Sequence, residues 1–427
     1  MMGALLRFMG LLSTLRSWPR PRLGLLGSLL SGLAMAGCSS ELRLPNVTYL
    51  SLGMNVDQVI DASSIQEIQT RLNGLEMGYR QIHPASRFQF SVYPENQLAQ
   101  TIGHRNQAGL GPDLLFVNGS TAVKLLSQGV VDPFPATARD LQQFTPGDLN
   151  RIRDNRGRLA GLPVLVETQV ACFNRRKLPQ APATMQELLV AGASGHPVGL
   201  SADVINLFWT AGSLGAVDSI TKLMKNQPID QQDLEGLIRW MVWLQNANNQ
   251  LRVTFYPNQQ TVMEEFLAGR LDWIPCNSIT LPRLREKLGS SLGVSALPRG
   301  EAGPASPVNR LRVLALGSSS SRGGRDRALA FARFGTNPLT QRMVTLGSQT
   351  VLPANRFVRV PEQSSEVLHA MASAKQTGQA IDSTLESLVE NDPRLGKVQS
   401  LITQLLFGES SPQGAAEQLV SLFRRPR

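Results

Sequence analysis

From Val47 onward two hydrophobic periods take turns along the chain, and that alternation limits the available folds more than any other feature. "VTYLSLG" alternates and is rich in β-favouring residues, so a strand is expected there. Apolar residues then recur at Ile65, Ile68, Leu72, Leu75 and Tyr79, the spacing of one helical face, which predicts a helix from Asp61 to about His83. "RFQFSVYP" returns to the strand pattern, "QLAQTIGHRNQAG" to a helix, "DLLFVNG" to a strand, and "STAVKLLSQG" to a helix closed by Gly129. No hairpin signal separates these pieces, which predicts a doubly wound, parallel α/β sheet with helices on both faces. Such sheets take ligands beyond the carboxyl ends of their strands. The segments Gly53 to Asn55, Tyr93 to Asn96 and Asn118 to Ser120 are marked on that ground.

The pattern restarts at "RLAGLPVLVETQVACFNRRKL", where two strand-like pieces flank Glu167. Helices are expected at "TMQELLVAG", "DVINLFWTAGS", "DLEGLIRWMVWLQNANN" and "QQTVMEEFLAG", and strands at "LDWIPC", "GVSALP" and "RLRVLALG". A polar, proline-bearing loop interrupts the last two strands. A second α/β lobe interleaved with the first accounts for this order.

The N-terminus reads differently. The first 37 residues carry Arg7, Arg16, Arg20 and Arg22 and no acidic residue, followed by an apolar segment from Leu23 to Ala36. That segment has the length of a signal-peptide core and is short for a bilayer span. It ends on Met35, Ala36 and Gly37, directly before Cys38, one of only three cysteines in 427 residues. The arrangement looks like a lipobox with Met35 where leucine is usual, so Cys38 is the expected site of lipidation. Lipid on that cysteine would tether an exported chain to a membrane surface. Removal of residues 1–37 leaves about 390 residues (427 − 37), and 42% apolar content in the full chain is enough for two or more cores.

The formal charge of +10 falls to +6 once the four signal arginines are removed (10 − 4). The remaining arginines are dispersed, apart from Arg322, Arg325, Arg327 and Arg333 and the terminal Arg424, Arg425 and Arg427, and aromatics are not interleaved with them. A solvated basic surface fits this better than a nucleic-acid groove. Cys172 and Cys276 are open to two readings, a disulfide formed after export or two isolated buried thiols, because sequence alone does not fix their separation. There is no phosphate loop, zinc-binding helix or nucleophile elbow, and His83, His104, His196 and His369 lack ligand spacing. No catalytic constellation, metal site or cofactor is expected.

The order of motifs resembles the family 1 extracellular solute-binding proteins of ABC importers, the maltose-binding-protein-like group. "GLGPDLLFVNGSTAVKLLSQGVVDPF" is similar to the family's Gly-x-Pro-Asp strand and the helix after it. "RLAGLPVLVETQVACFNRRKL" with "APATMQELL" resembles its hinge-crossing strand and Pro-x-Thr-x-x-Glu-Leu helix start, and "FLAGRLDWIPCNS" its Phe-x-x-Gly motif. "GVSALP" and "QTVLPAN" follow in the same order, so the similarity runs from Val47 to Phe357. It implies two doubly wound α/β lobes joined by crossing strands, of the type II periplasmic binding-protein kind, closing on a ligand between them. The expected division is a lipoprotein signal over residues 1–37, a lipid-anchored linker over 38–46, a first lobe of 47–166 with 299–340, and a second of 167–298 with 341–427. The implied protein is a monomeric, non-enzymatic receptor at the periplasmic or exterior face. It would capture a sugar, polyol or glycoside and deliver it to the transmembrane subunits of a permease.

Within that frame Glu167 is the leading ligand-binding candidate, because it interrupts the apolar run "LPVLVE", where an ionised carboxylate needs a partner. The matching glutamate of the family accepts hydrogen bonds from substrate hydroxyls, whereas an ion pair with an arginine would be purely structural. Asn118 and Ser120 follow a strand and face the cleft by topology, with helix capping as the competing role. Asn277 and Ser278 match a ligand-contacting loop of the family that here lacks its usual tryptophan, and Asn309 and Arg310 match another. Trp209 is the candidate for stacking on a sugar face, against a place in the core, and Tyr93 and Tyr256 are candidates for the rim. Val117 stands where maltose binders often carry an aromatic residue, which leaves smaller polyols, glycosides and sugar phosphates open. An anionic solute held by a helix N-terminus and Arg310, and an envelope sensor or scaffold that keeps the fold, are the alternatives.

Overall fold

A computed structural model describes residues 46–55 and 62–424. The signal segment, Cys38 and the linker expectation therefore lie outside the described residues. The strands are β1 (Asn46–Met54), β2 (Ser86–Pro94), β3 (Leu114–Asn118), β4 (Val131–Asp132), β5 (Leu162–Glu167) and β6 (Gln169–Asn174). The others are β7 (Val198–Ser201), β8 (Val253–Tyr256), β9 (Trp273–Asn277), β10 (Leu292–Ser295), β11 (Arg310–Gly317) and β12 (Leu352–Pro353). They form two sheets, ordered β12-β5-β11-β3-β1-β2 with β4 paired to β11, and β10-β6-β9-β7-β8.

The two-lobe α/β expectation holds, with one change in the sheets. β1 pairs parallel to β3, and β7 runs parallel to both β8 and β9. β11, however, is antiparallel to β3 and β5, and β6 is antiparallel to β9 and β10. The reason is connectivity: β5 leaves the first sheet for the second, and β11 brings the chain back, so the two run in opposite directions side by side. β7 and β8 are only four residues each, too short for an alternating pattern to announce them.

The first crossing is abrupt. Thr168 alone separates β5 from β6, is fully buried, and exchanges backbone and side-chain hydrogen bonds with Ser278: Thr168 N–H donates to Ser278 Oγ (3.0 Å) and Ser278 N–H to the Thr168 carbonyl (2.8 Å). A second connection runs from β10 to β11 through residues 296–309. Helix Glu366–Asn391 then packs against β12 and helix Gly119–Ser127 on one side and against β6, β10 and helix Val217–Met224 on the other. Gly378 permits this path, since a Cβ there would lie 2.2 Å from the Pro307 carbonyl oxygen and 2.3 Å from Asn309 Nδ2. Asn309 is pinned to the helix in turn, its N–H donating to Asp382 Oδ1 (3.2 Å) while Arg151 bonds both Asp382 Oδ2 and the Asn309 carbonyl.

The expected domain division changes at two boundaries. Residues 299–308, expected with the first lobe, stand with the second, where Arg299 bonds Ala183 and Met185, Ser306 bonds Phe208, Trp209 and Gly212, and Ala305 joins the core. β12 pairs with β5, and helices Arg322–Thr336 and Pro338–Ser348 pack beside them, so residues 341–353 stand with the first sheet rather than the second. β12 covers the outer edge that β5 would otherwise expose. Helices Leu395–Leu406 and Pro412–Arg424 do pack with the second lobe, on helix Gln231–Asn248. Of the two readings for the cysteines, the disulfide is the one realised. Register pairs Val170 with Cys276 and Cys172 with Ile274, which puts both thiols on one face of neighbouring strands with Cα atoms 5.9 Å apart.

Candidate functional site

The carboxyl ends of the first-lobe strands converge on a single side chain, Arg312. It enters from the start of β11, which runs the other way and so begins where β1, β3 and β5 end. Its Nη2 donates to the carbonyls of Gly53 (2.6 Å) and Phe116 (3.2 Å), and its Nη1 donates to Asn118 Oδ1 (2.8 Å) and reaches Glu95 Oε2 at 3.4 Å. Glu167 Oε1 lies 3.7 Å from Nε, and the guanidinium stacks 4.7 Å above the Phe116 ring. The network closes on itself. Asn118 donates its N–H to Glu95 Oε1 (2.6 Å) and its Nδ2 to Asn55 Oδ1 (2.6 Å), and Asn55 Nδ2 donates to Glu167 Oε2 (3.2 Å). Arg312, Glu95, Glu167 and Asn55 are all buried. Gly53 makes room for it, because a Cβ at that position would sit 1.9 Å from Glu95 Oε2.

The second lobe supplies the facing wall. Asn277 ends β9, opposite Gln169 in register, and caps the short turn after it by accepting from Ile279 N–H (3.1 Å). Helix Gln259–Leu267 presents Gln259, Gln260, Met263 and Glu264 to the same space. Gln259 is anchored by Nε2 donating to the Pro275 carbonyl (2.6 Å), while its Oε1 is buried without a hydrogen-bond partner among the described residues.

Between these walls lies a cleft of about 1060 Å³. Glu167, Arg312, Asn277, Gln260 and Arg283 edge it on the polar side. It continues inward beneath helices Ala62–Ile82 and Pro338–Ser348 over the face of the first sheet, where Leu50, Leu52, Val164 and Leu314 line it. Among the described residues no group of three or more His, Cys, Asp or Glu could hold a metal ion, and no helix is long and apolar enough to cross a membrane.

Of the residues marked in the sequence, Glu167 and Asn277 line this cleft, as do Gly53 and Met54 of the first marked segment. Glu167 occupies both positions weighed for it, partnered by Arg312 and Asn55 and also on the cleft wall. Asn118 sits one layer behind, in the Arg312 network. Ser120 lies on the first turn of helix Gly119–Ser127, and Arg310 pairs in register with Glu167, and neither lines the cleft. The structure does not bring the remaining candidates there. Trp209 is fully buried in the second-lobe core beside Trp243 and Trp273, because its helix packs inward against Trp240 and its neighbours. Ser278 is consumed by the Thr168 crossing, and Asn309 by helix Glu366–Asn391. Tyr93 instead accepts a hydrogen bond from Arg105 (2.7 Å), and Tyr256 is half-buried at the end of β8, where burial and nearby Glu265 raise its hydroxyl pKa. The residues sequence reasoning missed are Arg312 and the Gln259–Glu264 helix face. Arg312 had a visible signal, a charge alternating with apolar residues inside "RLRVLALG".

These features define the fold of the maltose-binding-protein-like solute-binding proteins, two α/β lobes around a cleft. No protein-family model matches the sequence, and no curated protein does. Solved structures match over nearly the whole described chain. The GacH receptor of Streptomyces glaucescens, solved alone and with acarbose, aligns with a TM-score of 0.71 at 16% identity, over 88% of this chain and 97% of that one. MalX of Streptococcus pneumoniae, in complex with maltopentaose, gives 0.68 at 14% identity over 88% and 99%. The maltose-maltodextrin binding protein of Alicyclobacillus acidocaldarius gives 0.64 at 18% identity over 89% and 100%.

Proposed function

We propose that this chain is the solute-binding receptor of an ABC importer. In this reading it captures a carbohydrate or related polar solute between its lobes, performs no chemistry on it, and hands it to the permease as the lobes close. Cys38 carries the lipid that holds the exported protein at the membrane. The observation that carries the reading is the cleft itself. It lies at the carboxyl ends of the first-lobe strands, where α/β sheets take ligands, and polar groups from both lobes face it. Whole-length likeness to receptors whose structures were solved with acarbose and maltopentaose supports a sugar-like solute.

A thermal-shift and small-angle scattering screen of residues 39–427 against maltose, maltodextrins, polyols and glycosides tests it. A binder at a hundredfold excess over its dissociation constant adds about 2.7 kcal/mol to stability. It should also reduce the radius of gyration. A well-folded protein that shifts with no member of the panel would sink the importer reading in favour of an envelope sensor or scaffold.

A further inference from the structure

The cleft has two chemically different ends, and this asymmetry narrows its ligand. At the mouth, Glu167, Arg312, Asn277 and Gln260 offer charge and hydrogen bonds, and Gln259 Oε1 is a buried acceptor with no partner among the described residues. The inner chamber is lined by strand side chains Leu50, Leu52, Val164 and Leu314, roofed by Ile68 and Leu72 of helix Ala62–Ile82. Phe331, Met343 and Val344 close its far side. The buried polar atoms of that wall left without hydrogen bonds among the described residues are Gln341 Nε2 and Thr350 Oγ1. An oligosaccharide that filled this chamber would bury a hydroxyl on nearly every carbon, more than those two atoms and the few hydroxyls of Thr340, Thr345 and Ser348 could partner, and each one left over is unfavourable. Hydrocarbon would instead gain free energy for every methylene removed from water.

We infer that the ligand is an amphipathic glycoside, with a hydroxylated head at the mouth and an alkyl or aryl group in the chamber. The inference rests on the receptor reading above and names the substrate class of the same cleft. The total volume, about 1060 Å³, sits at the upper edge of the roughly 300–1,000 Å³ that holds drug-sized ligands, so head and tail fit together.

The test is calorimetric titration of residues 39–427 with maltose, glucose, n-hexyl-β-D-glucopyranoside, n-octyl-β-D-glucopyranoside and 1-octanol, all below micelle-forming concentrations. Affinity should rise about fourfold per buried methylene, or about fifteenfold from the hexyl to the octyl glucoside. Octanol and glucose should each bind far more weakly than octyl glucoside. Leu72→Gln, a half-buried change on the chamber roof with its folding checked by circular dichroism, should flatten the chain-length dependence. Maltose binding with no dependence on alkyl length would overturn the inference and leave the receptor reading intact. Octanol binding as tightly as octyl glucoside would overturn the role of the mouth. Binding by none of the probes would overturn both this inference and the carbohydrate reading on which it stands.

Discussion

Replacing Arg312 by methionine removes the cation on which five first-lobe segments meet. Methionine fills much of the same volume, so the change tests charge and hydrogen bonding rather than space. The structure gives the losses directly. Asn118 Oδ1 and the carbonyls of Gly53 and Phe116 lose donors at 2.8, 2.6 and 3.2 Å, and the Glu95 and Glu167 carboxylates lose their nearest cation at 3.4 and 3.7 Å. Each buried group left unsatisfied costs about 1–3 kcal/mol, but a carboxylate can protonate and water can enter from the cleft. The net expectation is that of breaking a buried pair by removing one partner, about 3–5 kcal/mol. Urea unfolding of residues 39–427 measures it, with Arg105→Met as the exposed control at under about 1 kcal/mol, since that arginine bonds Tyr93 at the surface. Glu167→Gln in the Arg312→Met background should then cost less than it does alone, with a coupling of about 0.5–3 kcal/mol. A loss below about 1 kcal/mol for Arg312→Met, or strictly additive effects in the cycle, would refute the claim that this network is buried and mutually dependent.

Other outcomes follow from separate parts of the molecule. The Cys172–Cys276 bond closes a separation of 104 residues, so Cys172→Ala with Cys276→Ala should lower stability by about 2–4 kcal/mol, and a reducing agent should have no further effect on the double variant. Burial acts to raise the Asp233 pKa, but the hydrogen bonds from Lys222 Nζ (2.6 Å) and Asp230 N–H (3.0 Å) outweigh it and hold the carboxyl below its ordinary value. A depressed carboxylate stabilises the fold above its unfolded pKa of about 3.9 and loses that contribution as pH falls through the folded value. Asp233→Asn should therefore flatten the acid limb of a melting-temperature profile below about pH 4 and leave the profile's shape at neutral pH unchanged. Gly378→Ala adds a good helix former but drives a Cβ into the Pro307 carbonyl, so it should destabilise by about 1–3 kcal/mol, where an open helix position would gain. Trp209, Trp240, Trp243 and Trp273 all lie in the second-lobe core, and the emission of the mature protein should be blue and resistant to acrylamide whether or not a solute is bound.

The two-lobe architecture was legible because period and length agreed: the helix over 62–82, the strand–helix run to Ser127 and the crossing beside Glu167 stand close to where the pattern put them. β7, β8 and β12 were not legible, because two to four residues cannot show a period and their pairing is decided by what lies beside them. The strand-end rule found the right neighbourhood, since Gly53, Asn55, Glu95 and Asn118 all fell within the marked segments. It did not find the hub. That lies at the start of a strand running the opposite way, and the direction of β11 follows from the return crossing, which no local pattern encodes. Trp209 shows the converse limit, as a short helix beside the cleft in sequence order turns its largest side chain to the core.

The internal closure of the Arg312 network bears on how the cleft discriminates among solutes. A polar floor whose charges are largely paired with one another is rigid and gains little from a hydroxyl placed over it, except at Arg312 Nε, which is buried without a hydrogen-bond partner among the described residues. Selection then falls to groups with bonding capacity to spare, and Gln259 Oε1 is such a group on the facing wall. It is carried by the second lobe, on a helix held to β9 through the Pro275 carbonyl, and β9 is the strand that the disulfide ties to β6. A ligand that bonds Gln259 while resting on Glu167 must bridge the lobes. Its binding energy therefore depends on how near the lobes stand, which is the condition for a solute to shift the balance between open and closed forms.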